Sequence, residues 1–143
     1  MHRRAQIRSA AFAAALALAA CATGTDPVGL GGTAWQLVKF QGSDGKTLAP
    51  DDSAKYTIEF FADGSVAMRI DCNRGRGSWK SARPSQLEFG PMAVTRVACP
   101  PAPLEERFAR DMGYVRSYVV RNQRLFLALM ADGGTYEFEP RKP

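Results

Sequence analysis

Histidine is nearly absent from this sequence: among 143 residues there is one, His2, in a leader-like stretch. Removal of that stretch closes the remaining chain to every mechanism that needs imidazole, including serine or cysteine dyads built on histidine and histidine-based zinc sites. Cysteine is scarce too, with three residues at Cys21, Cys72 and Cys99. Long hydrophobic runs are missing as well. The apolar stretch from Ala10 to Ala20 has 11 residues, whereas a helix needs about 20 to span a bilayer, and no later segment is long or apolar enough. A permanent transmembrane helix is therefore not expected.

What the leader does contain is the layout of a secretory signal: Arg3, Arg4 and Arg8 with no acid among them, then the apolar stretch, then Leu18-Ala19-Ala20-Cys21. Those last four residues resemble a lipobox, in which the signal is cut before the cysteine and its sulfur is acylated. The expectation is a signal peptide over 1–20 and a mature chain held to a membrane through a lipid on Cys21. Simple secretion with an incidental cysteine is the alternative. Ala22 stands where an aspartate would resemble an inner-membrane retention signal, so the expected location is the bacterial outer membrane, facing the periplasm. Without the leader the basic residues fall from 19 to 16 against 14 acids, and the net charge falls from +5 to +2. The high pI mostly reflects the leader, and no nucleic-acid partner is expected. The 123 remaining residues suit one domain with a single core that needs neither a metal nor many disulfides.

Residues 21–32 offer little to bury and much backbone freedom, and read as a flexible tether. From Thr33 onward, short apolar or alternating segments recur with turn residues between them, the pattern of a mostly antiparallel β domain over 33–140. Strands are expected at Ala34 to Phe40, through Tyr56, Ile58 and Phe60, and through Val66, Met68 and Ile70, with Asp63-Gly64 as a hairpin turn. Further strands are expected at Gly75 to Lys80, Gln86 to Phe89, Met92 to Ala98, Tyr114 to Arg121, Arg124 to Met130 and Thr135 to Glu139. Asn122-Gln123 and Asp132-Gly133-Gly134 supply turns between the last three. One segment has a different period. Leu104, Phe108 and Met112 lie four apart, Pro103 suits a first helical position, Glu105 and Glu106 fit the first turn, and Gly113 can end the helix. The fold class is mostly β (α+β): a small curved antiparallel sheet or partly open barrel with one short helix.

Cys72 and Cys99 are the cysteines left once Cys21 is acylated, and export places them in an oxidising compartment, so a structural disulfide is expected. Two buried thiols, or a redox pair, are the alternatives. In the chain-entropy account, closing a loop of this size restrains the unfolded chain by roughly 3.5 kcal/mol. Asn73 with Gly75 and Gly77 suits a tight turn or bulge better than an anion-binding nest, since the spacing matches neither phosphate-loop nor dinucleotide fingerprints. Asp71, Glu59 and Glu88 are carboxylates that nothing in the sequence sets opposite one another, so no catalytic residue is expected. No metal site and no cofactor are expected: Asp51-Asp52 lacks a spaced acidic loop for calcium, and two cysteines alone do not hold zinc. Trp35 and Trp79 are read as core. Arg74 and Arg76 flank glycines, and with Lys80 and Arg83 they form the densest positive stretch of the mature chain, a candidate anion-binding surface whose plainer reading is a solvated face.

Three segments together resemble the META domain, also called the HslJ-like domain: Gly32-Thr33-Ala34-Trp35-Gln36-Leu37, Asp71-Cys72-Asn73-Arg74-Gly75-Arg76-Gly77-Ser78-Trp79, and Thr95-Arg96-Val97-Ala98-Cys99-Pro100. Their order and spacing cover nearly the whole folded part, from Thr33 to about Phe138. The resemblance implies a small β-rich fold with one helix, found in bacterial envelope proteins linked to stress and antibiotic tolerance, with no established catalytic site or ligand. At the position of Arg76 the family often carries an aromatic residue. The expected function is that of a non-enzymatic envelope lipoprotein supporting stress or antibiotic tolerance through binding, with an anionic envelope component or a protein as partner. The alternative is a periplasmic module that grips a small apolar ligand or blocks a partner's active site. A deep apolar cavity would favour the alternative, and a filled interior with a charged outer patch would favour the first.

Overall fold

Alternation of apolar and polar residues sets most of the strands in this computed structural model, which describes residues 29–142. The signal, Cys21 and most of the expected tether lie outside the described residues. The elements are β1 (Thr33–Gln41), β2 (Thr47–Leu48), β3 (Tyr56–Phe60), β4 (Ser65–Ile70), β5 (Asn73–Lys80), β6 (Glu88–Phe89), β7 (Ala93–Val94), α1 (Pro103–Asp111), β8 (Val115–Arg121), β9 (Arg124–Leu129) and β10 (Thr135–Pro140). All strand pairings are antiparallel, in the order β6-β5-β4-β3-β1-β10-β9-β8, with β2 pairing β1 and β7 pairing β5. Two meanders, β3-β4-β5 and β8-β9-β10, thus flank a central β1.

The sheet curls until its ends nearly meet. Residues just before β6 bond to β8, with Leu87 N–H donating to the Arg116 carbonyl at 3.1 Å and Tyr118 N–H to the Ser85 carbonyl at 2.9 Å. From there the chain runs along β5 as β6 and β7, two pieces of one irregular strand. Its register slips by one residue between the Trp79–Phe89 and Arg76–Ala93 pairs, the mark of a bulge. The expected strands Gln86 to Phe89 and Met92 to Ala98 are therefore present only as these short pieces. Because this strand leaves β8 as it proceeds, the barrel keeps an unsealed seam.

The interior is filled by side chains. In β1, Trp35 and Leu37 face inward, and a bulge between Leu37 and Lys39 then moves the inward phase so that Phe40, rather than Lys39, is buried. Leu104, Phe108 and Met112 form the single buried stripe of α1 and the 3-10 turn that follows it. Phe108 meets Tyr56, Tyr136 and Phe138 at ring-centroid distances of 5.7, 5.5 and 6.2 Å, so the helix plugs one end of the barrel. Buried Asp111 ends the helix and accepts from the Tyr136 hydroxyl at 2.9 Å, tying the plug to β10. A carboxylate at a helix C-terminus is disfavoured by the helix dipole. Arg107 and Arg110, each with Nε at 3.3 Å from Asp111, offset that cost.

Two departures concern the ends of the expected elements. Leu30, placed in the tether by its glycine-rich neighbours, is 1% exposed and belongs to the core, so ordered structure reaches back before Thr33. The turn expected at Asn73-Gly75-Gly77 falls earlier, at Asp71 and Cys72, where Asp71 takes φ of 53°. Aspartate tolerates that left-handed conformation better than most residues. Asn73 through Lys80 is a regular strand.

Candidate functional site

Asn73 opens β5 with its side chain inward and 4% of its surface exposed. Its carboxamide bonds to four nitrogen- or oxygen-bearing groups, and Nδ2 also lies 3.2 Å from Cys99 Sγ. Nδ2 donates to Glu105 Oε1 at 2.7 Å and to the Val97 carbonyl at 3.1 Å, while Oδ1 accepts from Val97 N–H at 2.8 Å and from the Thr95 hydroxyl at 2.9 Å. The bonds to Val97 have the form of one rung of an antiparallel ladder. Asn73 thereby fastens residues 95–97 to the β4–β5 hairpin and, through Glu105, to the first turn of α1. Beside it Cys72 and Cys99 are joined in a disulfide with Cα atoms 5.7 Å apart, which fixes the same segment from the other side.

Gly75 and Gly77 face inward beneath the β7 segment. A Cβ on Gly77 would stand 2.7 Å from the Pro91 carbonyl oxygen, so glycine is what lets the overlying chain approach. This replaces the tight turn or bulge expected of these glycines. Between residues 92–98 and α1 lies an open groove of about 710 Å³, floored by Ile70 and Asn73 and walled by Met92, Val94 and Val97 on one side and Glu105, Glu106 and Ala109 on the other.

The outward face of β5 carries Arg74 and Arg76, both exposed and on the same side, as their spacing predicts. The structure adds Arg69 of β4, which lies directly opposite Arg74 in the strand register. Like charges facing each other across strands cost on the order of 0.2–1 kcal/mol. Their recorded hydrogen bonds go to backbone carbonyls: Arg69 Nε donates to Asp71 O at 3.1 Å and Arg74 Nη1 to Asn73 O at 3.0 Å. Among the described residues no carboxylate forms an ion pair with Arg69, Arg74 or Arg76. Lys80 shares the β5 face but pairs with Glu88 at 3.0 Å. Arg83 sits beyond the strand, in a loop lining a hollow with Trp79 and Tyr118. Of the four basic residues singled out in sequence, two therefore form the patch, and Arg69 joins them.

Glu59, Glu88 and Asp71 stand apart as separate partners of basic side chains: Glu59 of Arg141 at 3.3 Å, Glu88 of Lys80, and Asp71 of Lys55 at 4.0 Å. Asp71, Cys99 and Glu105 bring potential ligand atoms within 4.8 Å of one another. Cys99 is committed to the disulfide, which leaves two carboxylates, fewer than the roughly six to eight oxygens that calcium takes. Trp35 is core, its Nε1 donating to Thr33 Oγ1 at 2.8 Å. Trp79 is half-buried against Phe60, its Nε1 donating to the Phe61 carbonyl at 3.1 Å.

Fold and surface together define a small, nearly closed β-barrel with a helical plug, a filled interior and an arginine-bearing outer face. The family model for the META domain matches residues 28–143, and the chain belongs to that family. In fold it is similar to a protein from Burkholderia xenovorans solved by NMR, at 21% identity and TM-score 0.67 over 96% of this chain and 100% of that one. It is also similar to a crystallised DUF4847 family protein from Bacteroides vulgatus, at 16% identity and TM-score 0.58 over 80% of this chain and 96% of that one. At such identities the likeness concerns the fold alone. No curated protein matches the chain.

Proposed function

We propose that this META-domain protein is a non-catalytic lipoprotein of the bacterial outer membrane, anchored through Cys21 on the periplasmic side. It supports tolerance of envelope stress or antibiotics by binding an anionic envelope component, either a phosphorylated glycolipid or an acidic protein surface. The observation that carries the binding part is the cluster of Arg69, Arg74 and Arg76, which face outward with no carboxylate among the described residues paired to them. Guanidinium groups engage phosphate or carboxylate through paired hydrogen bonds, and a like-charged cross-strand pair is relieved when an anion bridges it. The filled interior supports this reading over the grip of a small apolar ligand inside the barrel. The anchor rests on the sequence of the leader.

Crosslinking in intact cells tests the proposal. A photoreactive residue at Ser78, on the same β5 face, is expected to capture an anionic glycolipid or one defined protein, and to lose it when Arg74 and Arg76 are replaced by alanine. Products no different from those obtained with the probe at Lys46, away from this face, would contradict it.

A further inference from the structure

The segment after β6 is held to β5 by alternate residues. The register pairs Ala93 with Arg76, Thr95 N–H donates to the Arg74 carbonyl at 2.9 Å, and Val97 is held by the Asn73 carboxamide. In an antiparallel ladder the backbone groups of the residues in between point to the opposite side. Val94 thus turns its N–H and C=O away from β5, and among the described residues β7 has no second strand beside it. Met92 and Arg96 repeat this two residues to either side: among the described residues, neither backbone amide nor carbonyl of either one has a hydrogen-bond partner. These groups front the groove at the barrel's unsealed seam, with α1 as the far wall. The free edge is about five residues, or roughly 15 Å, long at strand spacing.

We propose that this groove binds an extended peptide segment of a partner protein, which adds as a strand to the edge at Met92, Val94 and Arg96 and completes the barrel across its seam. Main-chain N–H and C=O groups repeating every second residue call for the same repeat in the ligand, which an extended peptide has and a lipid or glycan lacks. The groove also sets the side-chain pattern. Every second residue of the ligand turns toward Ile70, Met92, Val94 and Ala109 and must be apolar, and those between face solvent. The site is separate from the arginine face, because Arg74 and Arg76 point outward from β5 and do not line the groove.

The test uses the disulfide-bonded protein without its lipid and a phage-displayed library of random dodecapeptides as probe. Selected peptides are expected to carry apolar residues at alternate positions and to protect the Val94 and Arg96 amides from hydrogen exchange, both of which exchange faster than Thr95 and Val97 in the free protein. Val94→Pro removes the outward N–H while keeping the residues that bond to β5, and edge strands tolerate such a proline. It should weaken the selected peptides about tenfold, the equivalent of one main-chain hydrogen bond, and leave the circular dichroism spectrum unchanged. N-methylation of the peptide at its groove-facing amides should do the same with the unaltered protein, whatever the fold of the proline variant. Arg74→Ala with Arg76→Ala should leave peptide affinity as it was, which separates this site from the anionic one. Failure to select a peptide, peptides without the alternating pattern, binding indifferent to N-methylation, or Val94 protection through pairing of two copies of the chain would overturn the proposal.

Discussion

Asn73 and Val97 are joined by two hydrogen bonds, from Nδ2 to the carbonyl at 3.1 Å and from N–H to Oδ1 at 2.8 Å, so that a side-chain carboxamide stands in for a strand backbone. The cysteine that precedes Asn73 and the one two residues beyond Val97 are bridged, so this rung is locked covalently on one side. Helix, hairpin and the groove-lining segment meet at this point.

Replacing Asn73 by alanine should leave the Val97 backbone groups and Glu105 without their partner and cost about 2 kcal/mol. Asn73→Asp keeps the size but loses the donor to Glu105 and sets a second carboxylate beside it, so it should cost no less. Urea denaturation of both variants with the disulfide intact checks this. An unchanged midpoint in either would show that the network does not hold the segment.

Loss of the disulfide in Cys72→Ser should lower stability by about 2–5 kcal/mol, since the bridge closes a loop with a sequence separation of 27. Intact-mass measurement after alkylation, with and without reductant, should give one bridge in unreduced protein from the native envelope. Two freely alkylated thiols there would refute it.

Alkaline pH should destabilise the protein through its buried tyrosines. Burial, followed by the charges of Asp71, Glu105 and Asp51, pushes Tyr56 from 10.0 up to about 12. Burial and then Asp111 push Tyr136 in the same direction. Because the raised values belong to the folded state, the unfolded chain ionises first. The stabilisation is whole below pH 10 and is lost as pH rises toward 12. Denaturation midpoints measured across that window should fall less steeply for Tyr56→Phe than for the unaltered protein, and equal slopes would contradict the assignment.

Changing Cys21→Ser should leave the protein unacylated, so that it is released from membranes or stalls in processing. Continued fractionation with the outer membrane after normal cleavage would sink the anchor.

Much of the fold was legible because its signals are periodic. Val66, Met68 and Ile70 alternate on β4, and Leu104, Phe108 and Met112 recur at helical spacing, so each element could be read from its own residues. The strands expected at Gln86 to Phe89 and Met92 to Ala98 were legible in place but not in length, because a bulge breaks the strand and its pairing partners, β8 and then β5, are set by the closing of the barrel. Leu30 was lost among glycines whose composition outweighed one leucine. The two arginines on β5 followed from spacing alone. Arg69 was missed because its place opposite Arg74 depends on the β4–β5 register, and the role of Asn73 was missed because turn propensity is a local signal whereas its partners lie 22 to 32 residues away.

The arginine face is tested most directly by retention of the unlipidated protein on anionic lipid vesicles as salt is raised. Exposed charges are screened over about 8–10 Å at ordinary ionic strength, so retention by the unaltered protein should fall steadily with salt. The Arg74→Ala, Arg76→Ala double variant should show almost no salt-sensitive retention while keeping its melting temperature. Equal retention of variant and unaltered protein across the salt series would contradict the account and return these arginines to the solvated surface.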